Sequence, residues 1–197
     1  PQNVWPREIP ELHEPTVALF RALEGVAEVL LRALAEYFDL PRDTFAAMMR
    51  RGNSILRVLH YPPVPPGADP AVRAAAHEDI NLVTLLCEAT DSGLQLLTRD
   101  GDWLPVEALP GQIVVDAGDM LSRFTNEVVP ATTHRVVNPA SGANRDRYSM
   151  PFFVHPYSAC DLTIHPRFVT ADRPARHPPT TAGAFLEERL AEIGLKK

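Results

Sequence analysis

His77 and Asp79 stand two apart in the run His77-Glu78-Asp79-Ile80-Asn81-Leu82-Val83-Thr84-Leu85-Leu86. Alternate side chains of an extended backbone share a face, so these two can reach one small ion together. A third ligand has to come from a distant segment. His134, in Thr132-Thr133-His134-Arg135-Val136-Val137, is the candidate, brought alongside by antiparallel pairing. Two neutral imidazoles and one carboxylate on one side of a metal leave positions open for substrate and oxygen, a set suited to non-haem iron(II). Farther on, Arg147 and Ser149 share a face at the head of another strand, and a guanidinium fork beside a hydroxyl suits a carboxylate that must be anchored in a pocket.

The elements that must carry these residues follow from periodicity. Pro1 to Pro15 is rich in proline and acid and reads as an irregular lead-in. From Thr16, Leu19, Leu23, Val26, Leu30, Leu34 and Tyr37 recur at steps of three or four, which predicts an amphipathic helix of about six turns with a stripe suited to covering a sheet. Pro41 ends it. Asp43 can cap a second short helix, with Phe45, Met48 and Met49 on its buried side and Gly52 as its stop. The period then falls to two: Ile55, Arg57, Leu59 and Tyr61 share a face of one strand that stops at Pro62-Pro63. Pro62 to Ala76, with five prolines and Gly67, reads as a loop into the His77 strand.

Short strands are expected at Ile80–Cys87, Leu94–Thr98, Trp103–Val106, Gln112–Asp116, Thr133–Val137 and Tyr148–His155. Asp91-Ser92-Gly93, Asp100-Gly101-Asp102, Pro110-Gly111 and Ser141-Gly142 punctuate them as turns. Many short strands with such punctuation argue a mainly β, two-sheet jelly roll with flanking helices rather than a parallel α/β sheet. From Asp161 to Pro179 proline returns and little order is expected. Phe185, Leu186, Leu190 and Ile193 predict a last helix ending at Gly194.

A chain of 197 residues with 45% hydrophobic residues supports one core of good size. The formal charge of −6 and the lack of a basic run argue against nucleic acid as a partner. No apolar run reaches the ~20 residues that span a bilayer, and the start lacks signal-peptide zones, so a cytoplasmic protein without membrane contact is expected. Cys87 and Cys160 are read as reduced, unconnected thiols. Pro1 is not a translation start, and a preceding segment is expected.

The order Tyr61-Pro62-Pro63, His77-x-Asp79-x-x-Leu82-x-Thr84-Leu85-Leu86, Gly118-Asp119-Met120, His134-Arg135-Val136 and Arg147-x-Ser149-x-Pro151-Phe152-Phe153 resembles the isopenicillin N synthase-like family of iron(II)- and 2-oxoglutarate-dependent oxygenases. The likeness runs from Leu56 to Pro156, and it implies a double-stranded β-helix. It further implies that His77, Asp79 and His134 ligate Fe(II), that Arg147 and Ser149 grip the distal carboxylate of the co-substrate 2-oxoglutarate, and that Tyr61 approaches the same carboxylate. Many relatives have an asparagine two residues before the matching tyrosine. Here that position is Leu59, so one polar contact is absent or replaced.

The organisation expected is a helical support segment at 1–52, a jelly-roll oxygenase core at 53–157 and a C-terminal loop and helix at 158–197. The implied reaction consumes O2 and 2-oxoglutarate, releases succinate and CO2, and hydroxylates, desaturates or cyclises a small molecule. No side-chain acid or base is required, so none is assigned. The alternatives are a relative that does not use 2-oxoglutarate and a non-catalytic metal-binding jelly-roll module. His13, His60, His155, His165 and His177 are read as surface or satisfied histidines, Asp119 as a turn residue, Glu78 as facing away from the metal, and Phe124 and Phe153 as core rather than cavity wall.

Overall fold

The computed structural model describes residues 3–65, 72–87, 89–107, 111–138 and 144–195. The turn expected at Ser141-Gly142, Pro110, and residues 66–71 of the proline-rich loop lie outside them. The chain divides into two compact units, Pro1–Ala47 and Met48–Lys197.

The first unit is built on helix α1 (His13–Tyr37), 25 residues long. It starts three residues before the expected Thr16, because Pro15 falls in the first turn, where a missing N–H breaks no helical bond. Its buried row is Leu23, Ala27, Leu31 and Ala35. This corrects the stripe read from the large residues: Val26 is 43% and Tyr37 80% exposed. The true row keeps a strict step of four, and its alanines allow a close approach that a search for bulky side chains overlooks. Arg32 ties the helix to Asp43 at 2.9 Å and to Glu28 at 3.0 Å. Phe45 is fully buried. A short helix, α2 (Ala46–Met49), follows it. It is Arg51, at φ 55°, that takes the left-handed position after it, whereas Gly52 serves close packing: a Cβ there would lie 2.1 Å from the His155 carbonyl oxygen.

Among its described residues the second unit holds ten short strands, all paired antiparallel. They are β1 (Ile55–Leu56), β2 (Leu59–Tyr61), β3 (Ala74–His77), β4 (Val83–Leu86) and β5 (Leu94–Leu97), then β6 (Trp103–Pro105), β7 (Val114–Ala117), β8 (His134–Val136), β9 (Arg147–Ser149) and β10 (Pro151–Val154). One sheet has the order β1-β10-β4-β7, another β3-β8-β5-β6, and β2 pairs with β9. The single strands expected at 55–61 and 148–155 are therefore each split in two. The register nevertheless runs on unbroken from Ile55↔Phe153 through Leu59↔Ser149 to Tyr61↔Arg147. Between them Arg57 N–H donates to the Pro151 carbonyl at 3.0 Å, and proline has no N–H to return the bond. The ladder loses a rung and keeps its alignment.

The strand expected from Ile80 begins only at Val83. The carbonyls of Asp79, Asn81 and Leu82 instead accept from the N–H groups of Asp119, Met120 and Gly118 at 2.8 to 3.0 Å. Those donors open helix α3 (Asp119–Phe124), so Asp119 is the first residue of a helix and not a turn residue. Ala74, Ala75 and Ala76, expected as the end of the loop, belong with His77 to strand β3.

Residues 161–179 are ordered, contrary to expectation. Leu162, Ile164 and Phe168 are buried there. Asn126, fully buried at φ 51°, donates to the carbonyls of Phe168, Arg173 and Pro174 at 3.0, 3.4 and 3.1 Å and accepts from Arg176 N–H at 3.1 Å. Helix α4 (Ala182–Glu192) follows, capped by the Thr181 hydroxyl, with Gly194 at φ 75° beyond its end. Phe185 is buried, but Ile193 is 60% exposed rather than on the packed face. Cys87 and Cys160 are both free thiols. No helix among the described residues is long and apolar enough to cross a membrane.

Candidate metal centre and adjoining cavities

Strand pairing brings the chemistry together. In the β3–β8 ladder His77 lies directly opposite His134, and their rings are 4.4 Å apart between centroids. The chain leaves β3 after His77, and Asp79 turns inward to be 8% exposed. Asp79 Oδ1 stands 3.8 Å from His77 Nε2 and 3.9 Å from His134 Nε2. One ligand atom from each residue lies within 4.8 Å of the others, a group that could hold a metal ion.

The surrounding hydrogen bonds aim these atoms. His77 Nδ1 faces the Ala75 carbonyl at 2.7 Å; His134 Nδ1 faces the Thr132 carbonyl at 3.0 Å and Asp116 Oδ2 at 2.9 Å. Acceptors at both Nδ1 atoms favour a proton there, the tautomer in which a metal, displacing any proton from Nε2, binds that nitrogen. Burial lowers the His134 pKa, but the Asp116 and Thr132 hydrogen bonds and the charges of Asp116 and Asp79 outweigh it and raise the value to about 9. Asp79 Oδ2 accepts from the Thr84 hydroxyl, which in turn accepts from Asn81 Nδ2 at 2.8 Å. Gly118 closes the set: a Cβ there would sit 2.4 Å from the Asn81 carbonyl and 2.7 Å from the Asp79 carbonyl, so only glycine lets α3 hold this segment. The donor set of two imidazoles and a carboxylate fits iron(II).

An inner cavity of about 290 Å³ adjoins the trio. Register places Tyr61 opposite Arg147 and Leu59 opposite Ser149, and all four line it. Arg147 is 1% exposed; its Nε donates to the Asp91 carbonyl at 3.1 Å, its guanidinium lies 5.2 Å from the Tyr61 ring centre, and its Nη1 has no partner among the described residues. Burial pulls its pKa below the usual value. Leu86, Leu94, Leu96 and Val136 supply apolar wall. The residues read from the sequence, His77, Asp79, His134, Tyr61, Arg147 and Ser149, thus meet around one cavity.

An outer cavity of about 730 Å³ shares Arg57, His77, Asp79 and Phe153 with the inner one. Its remaining wall includes Ile55, Ile80, His155, Leu186, Leu190 and Ile193. Phe153 is therefore cavity wall rather than core, while Phe124 is buried as expected. His155 is no surface histidine: it lines this space, burial lowers its pKa, and its Nδ1 is buried with no hydrogen-bond partner among the described residues. The other four histidines behave as read: His60 pairs with Asp146 at 2.5 Å, His177 with Glu127 at 3.1 Å, His165 accepts from Arg167 N–H at 3.2 Å, and His13 packs on Trp5. Glu78 is exposed and accepts from Thr133; it is not one of the metal trio, but it lines the outer cavity beside His77 and Asp79. Asp119 pairs with Arg189 at 3.3 Å; burial, opposed by Arg189 and reinforced by Glu78 and Asp79, raises its pKa to about 6. Asp116 and Thr84 were missed as supports. The only sequence signal for Asp116 was a lone acid in the apolar run Ile113-Val114-Val115.

Residues 52–156 match the family model described as the 2OG-Fe(II) oxygenase superfamily. A 2-oxoglutarate-Fe(II) type oxidoreductase of Aspergillus fumigatus is 33% identical over 95% of this chain and 56% of its own length. Among solved structures, a protein of Caulobacter crescentus described as of the 2OG-Fe(II) oxygenase family is 47% identical with a TM-score of 0.91, covering 98% of this chain and 63% of that one. A full-length Neurospora crassa protein, solved in complex with alpha-KG, is 28% identical with a TM-score of 0.87, over 97% of this chain and 62% of its own. The fold is the double-stranded β-helix of these neighbours. The chain spans about half the length of the curated relatives it matches.

Proposed function

Because the chain belongs to the 2OG-Fe(II) oxygenase superfamily, we propose that it is the catalytic region of a 2-oxoglutarate-dependent dioxygenase that oxidises a small molecule with O2 and releases succinate and CO2. What carries the reading is one juxtaposition: a buried guanidinium with an N–H unpartnered among the described residues, in the wall of the cavity that adjoins two imidazoles and a carboxylate converging within 4.8 Å. His77, Asp79 and His134 hold Fe(II) in this reading, and Tyr61, Arg147 and Ser149 hold the distal carboxylate of 2-oxoglutarate.

Iron bound there supplies the redox chemistry, turning O2, 2-oxoglutarate and a C–H bond into succinate, CO2 and an oxidised product. The chain's own part is placement. Asp79, fixed by Thr84 and by the backbone of α3, offers one negative charge and so leaves a divalent ion net positive toward a dianionic acid. Arg147 neutralises the acid's far end, and the leucine and valine walls keep water from the reacting groups. The substrate occupies the outer cavity, across His77 and Asp79.

We further propose that the chain groups with the isopenicillin N synthase-like branch, supported by the five ordered motifs from Tyr61 to Phe153. The two free thiols fit a cytoplasmic setting. The Neurospora crassa protein has also been solved with thymine; for this chain only the small size of the substrate is taken over. Anaerobic loading with Fe(II), followed by O2 and 2-oxoglutarate, tests the reading. Succinate released in step with O2 consumption is expected, and a module that binds metal but releases none would end it.

A further inference from the structure

Arg73 has no role in the account so far, although it lines the same inner cavity as Tyr61 and Arg147. It sits one residue ahead of β3, and its Nη2 donates to the Arg145 carbonyl at 2.7 Å. Its Nε and Nη1 are buried and have no hydrogen-bond partner among the described residues, and the same holds for Arg147 Nη1. Three cationic N–H groups are thus unmatched among the described residues, on two side chains that line one cavity.

The nearby acids answer them only at a distance. Asp91 gives Arg147 a backbone carbonyl and its charge acts on both guanidiniums, but one carboxylate oxygen is engaged by Arg145 at 3.3 Å and by the Ser92 N–H at 3.0 Å, and the other is buried with no hydrogen-bond partner among the described residues. Asp79 belongs to the metal trio, and Asp116 faces His134 at 2.9 Å. Neither Arg73 nor Arg147 forms an ion pair among the described residues. Leu59, opposite Ser149, offers the cavity no polar atom. Two guanidiniums whose charges oppose one another, with donors unmet, cost stability wherever no anion sits between them. A fold keeps such an arrangement where a ligand supplies the missing charge.

We propose that Arg73 is a second anchor for the co-substrate, sharing with Arg147 the distal carboxylate of 2-oxoglutarate. This rests on the reading of the cavity given under Proposed function. Two forked donors can saturate both oxygens of one carboxylate, which a single guanidinium and a hydroxyl leave partly unpaired. The pair selects a 2-oxo acid with an anionic far end over one that ends in a methyl group.

The test is the affinity of this chain, loaded with Mn(II), for 2-oxoglutarate and for 2-oxobutanoate, which keeps the keto-acid end and lacks the distal carboxylate. Calorimetric titration of Arg73→Met is expected to show 2-oxoglutarate weakened about 10- to 100-fold, the loss of one to two charged hydrogen bonds, with 2-oxobutanoate unchanged. The melting temperature without ligand should not fall. Arg73→Lys, which keeps the charge and loses the fork, should lie between wild type and Arg73→Met, and it serves if the methionine variant does not fold. Unchanged 2-oxoglutarate affinity overturns the proposal. So does an equal loss for both acids, which is the mark of a structural role. If the wild-type chain itself binds no 2-oxoglutarate, the functional reading fails first, and the two failures are told apart.

Discussion

The two cavities that meet at His77 and Asp79 are built on different plans. The inner one is framed by strands: β2 and β9 in register hold Tyr61, Leu59, Arg147 and Ser149, and β8 holds His134. Asp79 and Arg147 are buried in it, and Arg147 and His134 are aimed by hydrogen bonds. The outer one takes much of its wall from α4 and the residues after it, with Leu186, Leu190 and Ile193 only partly covered. A ladder fixes side chains to within a register step, whereas a terminal helix can shift or change its residues without disturbing that ladder. The inner cavity suits an unvarying small anion, and the outer one a substrate that differs from one relative to the next.

The comparison breaks most visibly at Asp79. Asp79→Ala removes the only carboxylate of the trio and is expected to abolish iron binding at micromolar metal; a titration identical to wild type would take Asp79 out of the ligand set. Next is Arg147→Ala, which leaves a buried anion without its fork and should weaken 2-oxoglutarate by about 2–3 kcal/mol, read by calorimetry. Equal affinity would favour a relative that does not use this acid.

Gly118→Ala tests the shared wall. Its Cβ would press on the Asn81 and Asp79 carbonyls, so a loss of about 1–3 kcal/mol in thermal or urea unfolding is expected, together with weaker metal binding. Stability that falls while metal affinity holds would mean that Asp79 tolerates movement of α3. The mildest change is Leu186→Ala in the outer wall, expected to raise the KM for the oxidised substrate about tenfold while 2-oxoglutarate affinity stays within a factor of about two. A shift in the co-substrate instead would show that the two cavities are not separable.

Much of the inner cavity was legible because its chemistry is written as residue types at fixed spacing. His77 and His134 meet by antiparallel pairing and Arg147 and Ser149 by alternation, while Asp79, already outside β3, is set by the backbone of α3. What supports them was not legible. Asp116 orients His134 from another strand, and nothing local marks it as more than a polar residue in an apolar run. His155 read as satisfied because burial depends on what packs over it, and the α4 segment that shares its cavity lies thirty or so residues later in the chain. The paired splits at Arg57 and Pro151 are visible only once the two strands are seen to be partners. The α1 face went astray for a simpler reason: Ala27 and Ala35 are apolar by burial, not by bulk.

A single amide gathers four of the hydrogen bonds that hold residues 168–176, beside the buried Phe168 and the Arg176–Glu127 ion pair. Exchanging the Asn126 nitrogen for oxygen, as Asn126→Asp does, turns three attractions to carbonyl oxygens into three repulsions while leaving the shape of the side chain almost intact. Local detachment should result rather than global unfolding. Limited proteolysis would then cut between Thr170 and Arg176 in a protein whose β4 and β10 amides still exchange slowly with deuterium.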